Sequence, residues 1–301
     1  MNAIVDPSLA KFAIGQPVSR TEDLVLLRGE GRYTGDQTLP GQVHAVVVRS
    51  RHAHGALLGV DAAMARGMPG VLGVFTAADL QAGGIAPMPA SSGRNHDGTP
   101  TPQPQQSALA DRRVRYVGDP VALVVAESAA EARDAAEAVL LDIDALPAVT
   151  TARAAMAPGA PLLHDDAPGN LAMDYRHGDG AAVAAAFAAA AHVTRLSIAN
   201  SRVVVSAMEP RSALASHDAA TGRFTLQVGC QGVFGLRSSL AGVLAVPVEQ
   251  VRILTGHVGG SFGMKASVYP EYPAILHAAR VLGRPRPISS SGATHWDMAA
   301  S

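Results

Sequence analysis

The chain has 301 residues, of which 48% are apolar and 16% charged, so it is long enough for two domains with ordinary hydrophobic cores. Its 24 Lys and Arg residues balance 25 Asp and Glu residues, which excludes a strongly basic surface for nucleic acid. The single cysteine, Cys230, excludes a disulfide framework and a cysteine-ligated metal cluster within this chain.

The N-terminal residues predict no targeting segment. Residues 1–9 contain Asp6 and lack both a basic start and an apolar core, so they do not resemble a signal peptide. No apolar run approaches the roughly 18 residues that a membrane helix needs. We therefore expect a soluble, cytoplasmic protein that binds neither nucleic acid nor membrane.

The first half alternates predicted strands with predicted helices. Residues 82–106 are rich in Pro, Gly, Ser and Gln and indicate a loop. Ser128 and Glu131 form a capping box that predicts a helix start. The pattern indicates an α/β domain ending near residue 145, with strands at 42–49, 71–75 and 121–126 and helices at 62–66 and 129–141.

The second half begins after a linker rich in Ala and Pro. Gly283 is a candidate helix C-cap. The chain after Arg284 is polar and carries an isolated Trp296, and we predict no regular element there. The predicted elements are helices at 179–191, 234–244 and 270–282, and strands at 193–198, 202–206, 213–217, 224–228 and 251–254.

A glycine-rich stretch, residues 256–265, lies between the last predicted strand and the last predicted helix. Its sequence is Gly-His-Val-Gly-Gly-Ser-Phe-Gly-Met-Lys. Such a turn lets backbone N–H groups approach an anionic group closely. A phosphate-binding P-loop does not fit, because Ala266 follows Lys265 where Ser or Thr is needed. The alternative is a tight turn in which the glycines only supply positive φ angles.

Residues 259–265, here called the glycine loop, are similar to the Gly-Gly-Gly-Phe-Gly-x-Lys loop of the molybdenum hydroxylases. This family contains xanthine dehydrogenase, aldehyde oxidase and the aerobic carbon monoxide dehydrogenase large subunit. Asp119 stands where the family often has Glu. Phrases that resemble the family's hammerhead domain are Gly31-Arg32-Tyr33, Arg49-Ser50 with Ala53-His54, Met68-Pro69-Gly70-Val71, Tyr116-Val117-Gly118-Asp119-Pro120-Val121-Ala122 and Leu146-Pro147-Ala148-Val149.

The resemblance implies a mixed α+β or α/β fold, with a hammerhead domain followed by an incomplete molybdopterin-binding domain. The expected divisions are an N-terminal extension at 1–19, the α/β hammerhead domain at 20–145, a linker at 146–170 and a truncated first molybdopterin-binding domain at 171–301.

The resemblance also implies which residues face the cofactor. Gln231 matches the glutamine that hydrogen-bonds the oxygen ligands of molybdenum, and an exposed or capping amide is its alternative role. Phe262 and Gly263 match loop residues whose backbone borders the metal, and Gly260 permits the close approach. Ser261 takes the place of the third glycine, where a positive φ angle is unfavourable for serine. No residue is expected to bind the metal directly.

Several other polar residues have structural explanations. Glu271 would stabilise the first turn of the last helix through its dipole. Glu209 would pair with Arg211 as a buried ion pair. His257 and His177 have no partner histidines at metal-binding spacing. The catalytic glutamate that family members carry in a Gly-x-Gly-Glu context has no counterpart after residue 265, so we expect no catalytic residue in this chain.

Two functional interpretations follow. In the first, the chain is the N-terminal part of a molybdopterin-dependent oxidoreductase large subunit that hydroxylates an aldehyde or an aromatic heterocycle with oxygen from water, and it is inactive alone. It would bind molybdenum–molybdopterin cytosine dinucleotide only when the missing region or a second polypeptide completes the site. Iron–sulfur and FAD groups would be carried by partner subunits, with none in this chain.

In the second interpretation the chain is a truncated remnant or a binding module that holds no cofactor. Whether it works as an enzyme therefore stays open at this point. Under the first interpretation, residues 171–301 should expose apolar surface that the missing part normally covers, and should be looser than residues 20–145.

Overall fold

The computed structural model describes residues 18–90, 92–201, 203–283 and 288–290. The strands of these residues are β1 (Val43–Arg49), β2 (Gly55–Asp61), β3 (Val71–Thr76), β4 (Arg113–Val114), β5 (Pro120–Ala126), β6 (Leu140–Ala145), β7 (Ala213–Asp218), β8 (Arg223–Val228), β9 (Val251–Leu254) and β10 (Ile288–Ser290). The α-helices are α1 (Asp23–Leu27), α2 (Ala63–Arg66), α3 (Ala77–Ala82), α4 (Ala129–Glu137), α5 (Ala152–Ala155), α6 (Gly180–Ala189), α7 (Val233–Leu244) and α8 (Glu271–Leu282). This confirms the mixed α/β fold.

The first half is built around β5. All seven of its residues are buried, as a continuous apolar run predicts for a strand covered on both faces. It pairs antiparallel with β1 on one side and β3 on the other. The predicted capping box begins α4, where Ser128 Oγ accepts from Glu131 N at 3.2 Å and Ser128 N donates to Glu131 Oε2 at 2.9 Å.

The helix predicted at 129–141 ends earlier than expected, at Glu137. The chain then forms β6, which pairs antiparallel with β2 in a second sheet of order β4-β2-β6. The sequence analysis missed β2, β6 and α3. Backbone pairing across the 3-stranded sheet outweighs the helical pattern of residues 138–141.

The second half contains the strands predicted at 213–217 and 224–228, which form a hairpin. β7 and β8 pair antiparallel in a continuous register from Ala213 opposite Val228 to Asp218 opposite Arg223. The chain then forms α7 and returns as β9, parallel to β8. α8 lies against the sheet, and nine of its residues, Glu271 through Ala279, are buried.

The two halves share one sheet of seven strands, in the order β3-β5-β1-β10-β7-β8-β9. The joining strand is β10, which the sequence analysis did not predict. Ile288 lies opposite Val43 in a parallel pair with β1 and opposite Ala215 in an antiparallel pair with β7. A single core cluster contains residues of both halves, including Leu123 and Ile275. Packing on one side of the sheet is therefore continuous from the first half to the second.

Residues 175–201 and 203–208, here called the exposed segment, differ from the rest of the second half. α6 forms within the helix predicted at 179–191, and Asp179 caps it by accepting from Ala182 N at 2.9 Å, but α6 has no buried residue. The strands predicted at 193–198 and 202–206 are wrong for all of their described residues, which pair with no neighbouring strand. Leu196, Ile198 and Val203 are 80%, 78% and 86% exposed. Apolar sequence alone does not form a strand without an edge to join.

Some sequence predictions concern residues outside the described ranges. They are the signal-peptide argument for residues 1–9, most of the N-terminal extension, and Trp296. Within the described residues, no helix is both long enough and apolar enough to cross a membrane.

Candidate functional site

The glycine loop connects β9 to the approach of α8 and lies beside the start of α7. Gln231 directly precedes the α7 N-cap, Gly232. Its backbone N–H donates to the carbonyl of Lys265 at 3.0 Å. This bond places the Gln231 side chain next to the loop, although 30 residues separate it from Ser261.

Ser261 solves the problem that its replacement of a third glycine raised. Positive φ angles occur at Gly260 (100°), Phe262 (49°) and Gly263 (89°), and Ser261 has none. The unfavourable conformation therefore falls on the phenylalanine instead of the serine. Ser261 Oγ donates to Gln231 Oε1 and accepts from Lys265 N at 3.1 Å. The serine thus fixes both the loop and the glutamine amide.

Four consecutive backbone N–H groups of the loop, at residues 260–263, find no acceptor among the described residues. Gln231 Nε2 also has no acceptor within the same ranges, because Ser261 engages the other end of the amide. Phe262 is 79% exposed and Gly263 is exposed, so this face of the loop is open. Successive N–H donors with a side-chain amide suit an anionic or oxygen-rich ligand.

The loop rests on a buried ion pair between Lys265 and Glu209, whose side chains are 1% and 8% exposed. Lys265 Nζ donates to Glu209 Oε2 at 2.7 Å and to the Glu209 carbonyl at 2.9 Å. The sequence analysis paired Glu209 with Arg211, and that prediction is wrong. The lysine is 56 residues away in sequence but adjacent in the fold, and it takes the carboxylate.

Arg211 instead belongs to a second buried cluster, centred on Glu271. Arg49 Nη2 contacts Glu271 Oε1, and Arg211 Nη1 lies 3.5 Å from Glu271 Oε2. The Arg211 guanidinium also stacks on the Tyr269 ring, 3.6 Å from its centroid. Glu271 therefore does more than the predicted stabilisation of a helix dipole: it joins the end of β1 to the start of α8.

Electrostatics in this second cluster favour ionised Glu271. Burial alone raises the pKa of this carboxyl, but the opposing charges of Arg211 and Arg49 outweigh it, so its pKa lies below the ordinary value of 4.5. Burial, with the nearby carboxylates of Asp119 and Glu271, raises the pKa of Tyr116. Burial also raises the pKa of Asp119, against the lowering effect of the hydrogen bond from Arg115 N.

A cavity of about 540 Å³ opens between the two halves of the chain, next to the loop. Its walls include Arg49 and Tyr116 from the first half, and Arg211, Ala266 and Glu271 from the second. It is large enough for a small organic molecule. Ala266, directly after the glycine loop, contributes no carboxylate to this wall.

Among the other candidates, His257 has a structural role. Its Nδ1 accepts from Arg32 N at 2.9 Å, and its ring meets the edge of Tyr33. The contact between His257 and Tyr33 links the start of the first half to the residues just before the glycine loop. Within the described residues, no group of three or more His, Cys, Asp or Glu could hold a metal ion.

The structure thus brings together all five residues that the sequence analysis selected: Gln231, Gly260, Ser261, Phe262 and Gly263. It also adds supporting residues that the analysis did not connect to the loop. The sequence analysis selected Glu209 but assigned it the wrong partner. Arg49 was named only as part of a phrase that resembles the family.

Comparison with known proteins identifies two family domains. Residues 28–147 match the aldehyde oxidase and xanthine dehydrogenase a/b hammerhead domain, and residues 163–296 match the molybdopterin cofactor-binding domain. Both domains are those that the resemblance implied, in the expected order.

Individual relatives match along most of this chain. The nicotine 6-hydroxylase large subunit of Paenarthrobacter nicotinovorans is 35% identical, covering 93% of this chain and 33% of the relative. The carbon monoxide dehydrogenase large chain of Afipia carboxidovorans is 32% identical, covering 93% and 36%. The crystal structure of quinoline 2-oxidoreductase from Pseudomonas putida 86 superimposes with a TM-score of 0.81 at 33% identity, covering 91% and 34%.

The chain therefore spans about a third of the length of these relatives. Its two matched domains follow each other as expected, and the likeness extends to backbone geometry. Taken with the glycine loop and its glutamine, these matches assign the chain to the molybdenum hydroxylase family.

Proposed function

We propose that this chain forms one wall of the cofactor site in a molybdopterin-dependent oxidoreductase. The observation that carries the proposal is the open face of the glycine loop, where four N–H groups without an acceptor among the described residues lie beside the Gln231 amide. Residues of these types suit a group rich in oxygen atoms. Gln231 would donate its free amide N–H groups to oxygen ligands of the metal, and residues 260–263 would border it.

The fit depends on this chain's own residues. Ser261 holds the amide of Gln231 so that its nitrogen, not its oxygen, is left for a ligand. Gly260 and Gly263 have positive φ angles, which glycine adopts readily. Because glycine has no Cβ, the backbone at these two residues can approach a ligand closely. When bound, the molybdenum cofactor supplies the redox chemistry, and we expect the molybdopterin cytosine dinucleotide form.

We further propose that the complete enzyme hydroxylates an aldehyde or an aromatic heterocycle, with water as the oxygen source. Nicotine and quinoline appear in the names of two of the relatives, which supports the heterocycle class. The cavity beside Ala266 and Tyr269 would lie on the substrate's side of the loop. We place the enzyme in the cytoplasm, with iron–sulfur and FAD subunits receiving the electrons.

Completion of the site requires polypeptide beyond this chain, whether continuous with it or separate. The relatives are about three times as long, and a general base is among the groups that the chain would need from that remainder. We therefore expect no turnover by these 301 residues alone. The exposed segment supports this expectation, because a helix as apolar as α6 is ordinarily covered.

The test is the molybdenum and pterin content of the chain purified from its native host. Molybdenum is measured by elemental analysis and pterin by fluorescence after acid oxidation, together with any co-purifying polypeptides. We expect near-stoichiometric metal and pterin, with both strongly reduced in Gln231→Ala. Gln81→Ala, which alters an exposed glutamine on α3, is the matched control and should retain both.

A folded wild-type chain that carries neither metal nor pterin would contradict the proposal. That result would favour the remnant or binding module that holds no cofactor.

A further inference from the structure

One carboxylate oxygen holds both ends of the glycine loop. Glu209 Oε2 accepts from the backbone N–H of Gly259, the first residue of the loop, at 2.8 Å. The same oxygen accepts from Nζ of Lys265, the last residue, at 2.7 Å. A seven-residue loop whose two ends meet at a single atom has far fewer conformations than one fixed only by its neighbouring elements.

The backbone of Glu209 takes part in the same arrangement. Its N–H donates to the Gly259 carbonyl at 3.0 Å, and its carbonyl accepts from Lys265 Nζ at 2.9 Å. Gly259 packs so closely that an added Cβ would stand 2.5 Å from the Glu209 Cβ. The contact between residue 209 and the loop is therefore specific in backbone, side chain and shape.

Burial makes this arrangement strong. The Lys265 side chain is 1% exposed and that of Glu209 is 8% exposed, so both charged groups are largely removed from water. Charge-assisted hydrogen bonds in such surroundings are shorter and stronger than neutral ones. Removing the lysine would leave a buried carboxylate without its cation.

The loop transmits this constraint to the site. Lys265 N donates to Ser261 Oγ at 3.1 Å, and Lys265 O accepts from Gln231 N at 3.0 Å. The side chain of Lys265 thus bonds to Glu209, and its backbone bonds to Ser261 and Gln231, whose side chains contact each other. A displacement of the lysine would move both the loop and the glutamine.

We propose that Glu209 and Lys265 are positioning residues, which clamp the glycine loop and thereby set the direction of the N–H groups of residues 260–263. Neither side chain reaches the open face, so both act through the loop. The clamp itself is a property of the chain, whereas its use in holding a cofactor rests on the function proposed above.

Hydrogen–deuterium exchange of peptides covering residues 256–266 tests the clamp without any cofactor. In Lys265→Met the hydrogen-bonded amides of residues 259, 264 and 265 should exchange at least about tenfold faster, since a charge-assisted hydrogen bond contributes at least that factor. Peptides from α8 should change less. Arg112→Met, at a side chain that is 92% exposed, removes a cation elsewhere and should leave the loop unchanged.

Glu209→Gln combined with Lys265→Met separates positioning from the burial of an unpaired charge. The double variant buries no ion, so it should melt close to the wild type. Its glutamine can still accept from Gly259 N, but the methionine cannot donate, so the loop should still exchange faster. Exchange at the wild-type rate in this variant would overturn the proposal.

Pterin content of the same variants, purified from the host, links the clamp to the site. The double variant should lose most of its pterin while keeping its melting temperature. Full retention of pterin despite a faster-exchanging loop would overturn the cofactor-positioning role. A wild-type chain without pterin whose loop still depends on Lys265 would contradict the proposed function and support the clamp itself.

Discussion

At Gly259 the neighbouring side chain determines which residue type fits. It needs no positive φ angle, but it has no room for a side chain, because Glu209 occupies the space. Ser261 shows the opposite case, since a position that could have been glycine uses its hydroxyl for two hydrogen bonds. Sequence spacing alone does not distinguish these two reasons for a residue in a glycine-rich stretch.

Gly259→Ala should destabilise the chain. Its Cβ would lie 2.5 Å from the Glu209 Cβ, and overpacking of this kind costs about 1–3 kcal/mol. Urea unfolding followed by circular dichroism measures the change. Gly242→Ala within α7 is the control: its Cβ would meet nothing within 4 Å, and replacing a helical glycine should stabilise by about 0.5–1 kcal/mol. Equal effects of the two substitutions would contradict the tight contact.

At the scale of elements, the Glu271 cluster joins β1 to α8 across the two halves. Both arginines depend on one carboxylate, and Arg49 Nη1 also donates to the Gly118 carbonyl at 2.9 Å. The cluster lies beneath the cavity next to the glycine loop. It therefore fixes the distance between the halves at the site.

Glu271→Gln should destabilise the chain at neutral pH by about 3–5 kcal/mol, because it takes the charge of Glu271 away from the buried Arg211 guanidinium and the half-buried Arg49 guanidinium. The folded-state pKa of Glu271 is lowered, so its contribution is complete above about pH 4.5 and is lost as the pH falls below that value. Urea unfolding at pH 7 and in steps below pH 4.5 should show the gap between wild type and variant narrowing.

The control is Glu137→Gln, at an exposed carboxylate on α4, which should change little at either pH. A gap of constant size down to pH 3 would show that the charge of Glu271 is not what stabilises the cluster.

Elements whose signals are local could be predicted from sequence. The buried run of β5, the capping box of α4 and the hairpin of β7 and β8 each depend on residues within a few positions. β10 could not, since a strand of three residues exists only through its pairing partners, and β6 was missed because the helical pattern of α4 continues into its first residues. The Glu209–Lys265 pair was missed for the same reason: sequence separation hides which buried charge meets which.

The candidate site, too, was predicted only in part from the sequence. Physical reasoning identified a glycine-rich turn able to bind an anionic group but left a simple turn equally open. The selection of Gln231 came from the family resemblance. The structure was needed to find its contact with Ser261 and the four N–H groups that have no acceptor in the described part of the chain.

At the scale of the whole molecule, the chain combines a continuous core with a largely uncovered stretch. The core cluster extends from Val43 to Ile288, whereas α6 has no buried residue and Met208 is 95% exposed. The expectation that all of residues 171–301 would be loose needs refinement, because β7 to α8 are well packed. The exposed segment carries the apolar surface that, under the proposed function, further polypeptide would cover.

Limited trypsin digestion should therefore cut first within the exposed segment. Arg195 is exposed in an irregular stretch, whereas Arg280 lies half-buried in α8 and donates to the Gly83 carbonyl. Early fragments, identified by mass spectrometry, should end at Arg195 and leave the first half intact. Equal cleavage rates in the exposed segment and in residues 20–145 would contradict this division of the chain.

The central claim is that the open face of the glycine loop contacts the cofactor. Hydrogen–deuterium exchange of host-purified protein, compared before and after the cofactor is stripped, tests it most directly. We predict that the amides of residues 260–263 exchange more slowly in the loaded protein, while those of α4 are unchanged. Equal exchange at the loop in protein that demonstrably carries pterin would place the cofactor elsewhere and contradict the account.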